Sequence, residues 1–141
     1  MRRLVFVSAV LASACGGRAP TLTIEVRDAW ARPADSAATT AAYFVVLNHE
    51  KTPVTLTAES SPLAESASLH ETMEMSGMVH MLPLDSAQLI APGDSLVLKE
   101  GAKHLMVSGL KRKLAAGDSL PLVLNFSDGR VVKATALVRA P

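Results

Sequence analysis

Apart from the initiator, every methionine in this chain lies between Met73 and Met106, and His70, His80 and His104 fall in or beside the same window. The window opens LHETMEMSGMVHM and closes KHLM. Methionine kept as an adaptable core filler would be scattered through the apolar runs. Thioether sulfur mixed with imidazole, with no thiol nearby, is instead the donor set that suits Cu(I). All such donors are neutral, so binding need not displace a proton from a thiol. They also resist an oxidising compartment better than exposed thiolates, although sulfoxide can still form. No nucleophile with its base accompanies them, so the chemistry is that of holding an ion and passing it on.

Two local elements must present these donors. In His104-Leu105-Met106, residues two apart on a strand share a face, so the histidine and methionine converge while Leu105 packs the other way. Ser76-Gly77 is the natural turn of the second piece. A two-residue loop there pairs Met75 with Met78 and Thr72 with Met81, which makes His70 and Met81 diagonal neighbours on one face. His70, Met81, His104 and Met106 then form a two-nitrogen, two-sulfur metal site. The same register puts Met73 opposite His80 on the reverse face, with Met75 and Met78 beside them. A one-residue slip would exchange the faces. For Met73, Met75, Met78 and His80 three readings stay open: an auxiliary copper patch, an adaptable docking surface, or hairpin packing. His49 reads as a solvated loop residue, Trp30 and Tyr43 as core anchors, and Lys111-Arg112-Lys113 as a solvated turn.

Short apolar runs separated by turn residues predict an all-β domain, a two-sheet sandwich or small barrel. The expected strands are 22–30, 41–48, 54–58, 66–72, 78–84, 95–98, 104–108, 120–126 and 131–138. The last two make the clearest hairpin: Leu120, Leu122, Leu124 and Phe126 alternate, and Asp128-Gly129 supplies the turn. No segment shows a sustained helical period, and the alanine-rich stretch 34–42 is broken by Ser and Thr.

The chain of 141 residues has 14 basic and 13 acidic side chains, a formal charge of +1. That balance gives no electrostatic footprint for nucleic acid, and the few aromatics offer no base-stacking platform. Residues 1–14 read as an export signal, with Arg2 and Arg3 before an apolar run too short to span a bilayer. Cys15, the sole cysteine, follows directly. Its setting, with Gly16-Gly17 behind it, resembles the acylation site of bacterial lipoproteins. Ala12, where leucine is commoner, also fits ordinary signal cleavage at Ala12-Ser13-Ala14. Residues 15–21 read as a tether and 22–141 as one β-sandwich domain. With no cysteine in that domain, a disulfide cannot hold it and a blue-copper site, which needs a thiolate, is excluded.

The spacing of His70, ten residues, Met81, then His104-x-Met106 resembles the periplasmic copper chaperones of the PCuAC type, whose signature is H-x10-M-x21-H-x-M. Here the middle gap is 22 residues, and the extra one is expected in the turn at Asp85-Ser86-Ala87. Asp28-Ala29-Trp30-Ala31-Arg32, Thr40-Ala41-Ala42-Tyr43-Phe44, Leu69-His70-Glu71, Ile90-Ala91-Pro92-Gly93, His104 through Leu110 and Gly117-Asp118 also look like that family. The resemblance implies a cupredoxin-like, Greek-key β-sandwich that binds Cu(I) in the periplasm or cell envelope, where acylation at Cys15 would anchor it. It implies delivery to a copper-accepting protein, an oxidase subunit or another copper chaperone. The competing reading is a metal-free, lipid-anchored interaction or assembly module. An enzyme is not expected, since G-x-S-x-G, HExxH and a Cys–His pair are all absent from the domain.

Overall fold

The computed structural model describes residues 23–141 except Ser86. The export segment, Cys15, the tether, Leu22 and the centre of the Asp85–Ala87 turn lie outside the described residues. Ten strands follow in order: β1 (Ile24–Ala31), β2 (Thr40–Asn48), β3 (Val54–Ser60), β4 (Ser66–Met75), β5 (Met78–Pro83), β6 (Gln88–Ile90), β7 (Ser95–Leu98), β8 (Lys103–Ser108), β9 (Ser119–Phe126) and β10 (Val131–Val138). No helix occurs among the described residues. Every strand lies between Ile24 and Val138, so a chain beginning at Gly16 retains all the described architecture.

Hydrogen bonding links the strands in the order β5-β4-β8-β2-β1-β10-β9-β3-β6, with β7 also paired to β2. The two ends of this path, β5 and β6, are consecutive in the chain and separated only by residues 84–87. So short a connection cannot cross the width of a flat sheet of this many strands. The sheet therefore folds over itself into a sandwich and brings β3 against β4 across the seam.

The core lies between the folded halves. In β9, Leu120, Leu122, Leu124 and Phe126 are buried and alternate with more accessible neighbours, as their spacing predicts. Val46, Leu56, Leu69, Leu105 and Val107 meet them from the other strands. Fully burying one such side chain contributes about 1.5–3 kcal/mol. Asn48 is the polar exception at the end of β2. Its amide donates to the carbonyls of Thr52 at 2.9 Å, Ile90 at 3.0 Å and Ala91 at 3.2 Å, while its Oδ1 accepts the Glu50 N–H at 2.9 Å. One side chain thus ties β2 to the loop after β6.

Nine strands match the expected runs to within a few residues. β6 is the addition: with three residues, one of them the exposed Leu89, it offers no alternation to detect. Tyr43 is buried as expected, at 6% exposure, whereas Trp30 is only half-buried and corrects the sequence reading, and neither joins the main core cluster. Both lie on the outer face, where their rings pack at 4.6 Å and the Arg139 guanidinium covers Trp30 at 4.6 Å. A large aromatic in a strand can serve either face, and the run DAWAR carries no marker of which one. His49 is exposed as expected, with Nε2 2.8 Å from a Glu25 oxygen. Lys111, Arg112 and Lys113 are exposed as well.

Candidate metal centre

The site is assembled on adjacent strands at one end of the sheet. β4 pairs with β8 so that His70 stands directly opposite His104, and Ser68 opposite Met106. β4 also pairs with β5, setting Thr72 against Met81 and His70 against Pro83. His70, Met81, His104 and Met106 consequently share one face, and Leu69 and Leu105 point from the other into the core. The turn responsible is Ser76-Gly77. Both residues have positive φ, 57° and 76°, the geometry of a two-residue hairpin loop whose twist matches its strands. The expected register is therefore the observed one.

The two imidazoles stack with centroids 6.1 Å apart and planes inclined by 21°. His104 Nδ1 lies 2.9 Å from the Ala102 carbonyl oxygen and His70 Nδ1 lies 3.3 Å from that of Ser68. A carbonyl can only accept, so in the neutral ring each Nδ1 bears the proton and Nε2 keeps the lone pair. This is the usual way a metal-binding histidine is oriented and its tautomer fixed. His104 is nearly inaccessible, at 4% exposure, whereas Met81 is 59% exposed. The site thus combines a sheltered, hydrogen-bonded imidazole with an accessible sulfur.

Met81, His104 and Met106 line an open depression of about 410 Å³, bordered by Arg32, Thr40, Tyr43, Thr72 and Gly101. On its rim Arg32 Nη2 lies 2.6 Å from Glu100 Oε1. That contact first, then the Tyr43 hydroxyl, holds the guanidinium pKa above its ordinary value. Among the described residues no three His, Cys, Asp or Glu side chains are grouped to hold a metal. Glu71 alternates away from His70 and Glu74 is exposed toward the turn. The depression therefore offers no hard oxygen shell. His70 does not line the depression itself but stands beside His104 on the same face, and two imidazole nitrogens with two thioethers are a donor set that suits a soft d10 cation.

The sequence reading missed how His104 is supported. Tyr43 lies 6.5 Å from it, ring to ring. A row of flat groups, His70, His104, Tyr43, Trp30 and Arg139, therefore crosses the sheet through β4, β8, β2 and β1 to the end of β10. The quoted segments Asp28–Arg32 and Thr40–Phe44 contain two members, but only the pairing of Trp30 with Tyr43 reveals the row. Met73, Met75, Met78 and His80 lie on the reverse face of the hairpin, apart from this depression.

Fold and site together define a β-sandwich bearing an outer-face His/Met cluster. The chain belongs to the family described as "Putative lipoprotein LpqE-like", which matches residues 24–138. It is 36% identical over 106 residues to "Putative lipoprotein Lxx21020" of Leifsonia xyli subsp. xyli, and 28% identical over 103 residues to protein RP573 of Rickettsia prowazekii. These matches cover 75% and 70% of this chain but only 63% and 57% of the two relatives. Among solved structures, that of Cu(I)-DR1885 from Deinococcus radiodurans is similar at 29% identity and a TM-score of 0.57, over 89% of this chain and 83% of that one. Apo-DR1885 superposes over 100% and 95% at 28% identity and a TM-score of 0.61. The copper-bound PCuAC domain of PmoF2, at 19% identity, has the same fold, with a TM-score of 0.66 over 84% and 94%. The resemblance to PCuAC-type proteins thus holds for family and fold, and the cupredoxin-like sandwich is the architecture present.

Proposed function

We propose that this protein is an extracytoplasmic Cu(I) carrier, not an enzyme, that holds the ion through His70, Met81, His104 and Met106. The supporting observation is the site's construction: two stacked imidazoles, each with Nδ1 on a backbone carbonyl, share a face with two thioethers. The similarity to Cu(I)-DR1885 supports the same reading. Neutral donors and an exposed Met81 favour transfer. A thiolate-bearing acceptor can approach from the solvent side, displace the thioether first and draw the ion off by stronger ligation. The acceptor is a copper centre of a respiratory cytochrome oxidase, or another copper chaperone feeding it. Residues 1–14 direct export, and acylated Cys15 anchors the domain to a membrane of the envelope, in keeping with the lipoprotein names of the family and the relative.

A Cu(I) competition titration on the chain beginning at Gly16 tests the carrier reading. One tightly held Cu(I) per monomer is expected, with far weaker Zn(II) binding under the same reducing conditions. Zn(II) would find two good nitrogens and two poor sulfurs. Comparable affinities for the two ions would remove the methionines from the site and leave the metal-free assembly module as the reading.

A further inference from the structure

The central site uses one face of the β4–β5 hairpin. On the reverse face Met73 stands directly opposite His80, and Met75 directly opposite Met78. β8 last meets β4 at the Lys103–Glu71 pair. From Met73 to His80 the hairpin is therefore a two-stranded ribbon that runs on past the body of the sandwich. Its reverse face continues the one that carries Leu69 into the core, but here nothing among the described residues covers it. Met73, Met75 and Met78 are 41%, 45% and 61% exposed. Packing does not explain three thioethers left in water beside an imidazole.

Directly opposed residues have Cβ atoms about 4.5–5.5 Å apart, and diagonal ones lie within reach of long side chains. Methionine is unbranched with three rotatable bonds, so the three sulfurs and the ring nitrogen can converge on one ion. We propose that Met73, Met75, Met78 and His80 form a second soft-metal site that takes Cu(I) or Ag(I) more weakly than the central one. The proposal shares the donor chemistry of the carrier reading but none of its ligands. Weaker binding follows from the setting: among the described residues no backbone carbonyl holds His80 as one holds His70 and His104. An isolated two-stranded ribbon is also marginally stable, so its donors must be ordered by the ion. His80 and Met81 are sequence neighbours on opposite faces, which places the two sites back to back across β5.

The test is an Ag(I) titration of the chain beginning at Gly16, followed through methionine methyl and histidine ring NMR signals. Ag(I) is a soft monovalent ion without redox complications, and this chain lacks the Cys15 thiol. Met81 and Met106 methyls should shift with the first equivalent, and those of Met73, Met75 and Met78, with the His80 ring, during the second. The triple variant M73L/M75L/M78L should lose the second equivalent and keep the first. The double variant M81L/M106L should lose the tight equivalent and keep the hairpin response. Hairpin methyls unmoved after two equivalents, or a triple variant that binds as much Ag(I) as the unaltered chain, would overturn the proposal. If M81L/M106L alone bound like the unaltered chain, the central site would fall while the hairpin site stood.

Discussion

Each histidine of the central site holds its Nδ1 proton against a backbone carbonyl two residues back, that of Ser68 within β4 for His70 and that of Ala102, just before β8, for His104. This bond needs no special residue, because the carbonyl belongs to the backbone. In the proposed site the affinity for Cu(I) then depends on the sulfurs. Met106→Leu removes one of them at nearly constant volume, a swap that proteins tolerate well. Cu(I) affinity should fall by more than about tenfold, since disturbing even an outer partner of a metal ligand has that effect. The circular dichroism spectrum should not change. An unaltered competition titration would take Met106 out of the site. Glu59 is a different kind of residue, buried in the seam with one carboxylate oxygen unpartnered among the described residues. Burial pushes its pKa up from 4.5 to about 7. The folded protein consequently holds a proton that the unfolded chain releases between those values. Stability from this group is fully present below about pH 4.5 and is lost as pH rises through about 7. Denaturant melts should show a decline over this interval on the order of 2–3 kcal/mol. Glu59→Gln should flatten it; an unchanged slope would assign the decline to other groups.

At the scale of elements, the hairpins carry the site and the loops lock it. Ser76-Gly77 and Asp128-Gly129 announce their turns because positive φ demands particular residues, and the turn at Ser76-Gly77 sets the register that puts His70 and Met81 on one face. Those parts were legible in the sequence. β6 was not, because three residues cannot display a period, and neither was Asn48, whose role depends on carbonyls about forty positions away. The outward placement of Trp30 and Tyr43 escaped for a related reason: alternation shows that neighbours face opposite ways but not which way is inward. Asn48→Ala should lower unfolding free energy by about 1–3 kcal/mol, the usual result of leaving buried partners unsatisfied. Because Asn48 is remote from the depression, Cu(I) binding to the folded variant should persist. A thermal or urea melt coincident with that of the unaltered protein would show the Asn48 bonds to be dispensable.

Across the whole molecule, a sandwich closed by the short link between β5 and β6 holds the His/Met cluster at one end of the sheet, where the β4–β5 ribbon projects. Acylation at Cys15 would tether this body by a short polar segment while leaving Met81 open to an acceptor. Cys15→Ser should therefore move the protein from the membrane fraction to the soluble envelope fraction without altering metal binding. Unmodified, already soluble protein beginning at Cys15 would instead indicate ordinary signal cleavage. The central claim is that two imidazoles and two thioethers hold one Cu(I), and X-ray absorption on the chain beginning at Gly16, loaded with one equivalent, reads that shell directly. Nitrogen and sulfur scatterers are expected together, with the sulfur contribution reduced in M106L. A shell of nitrogen or oxygen alone would contradict it.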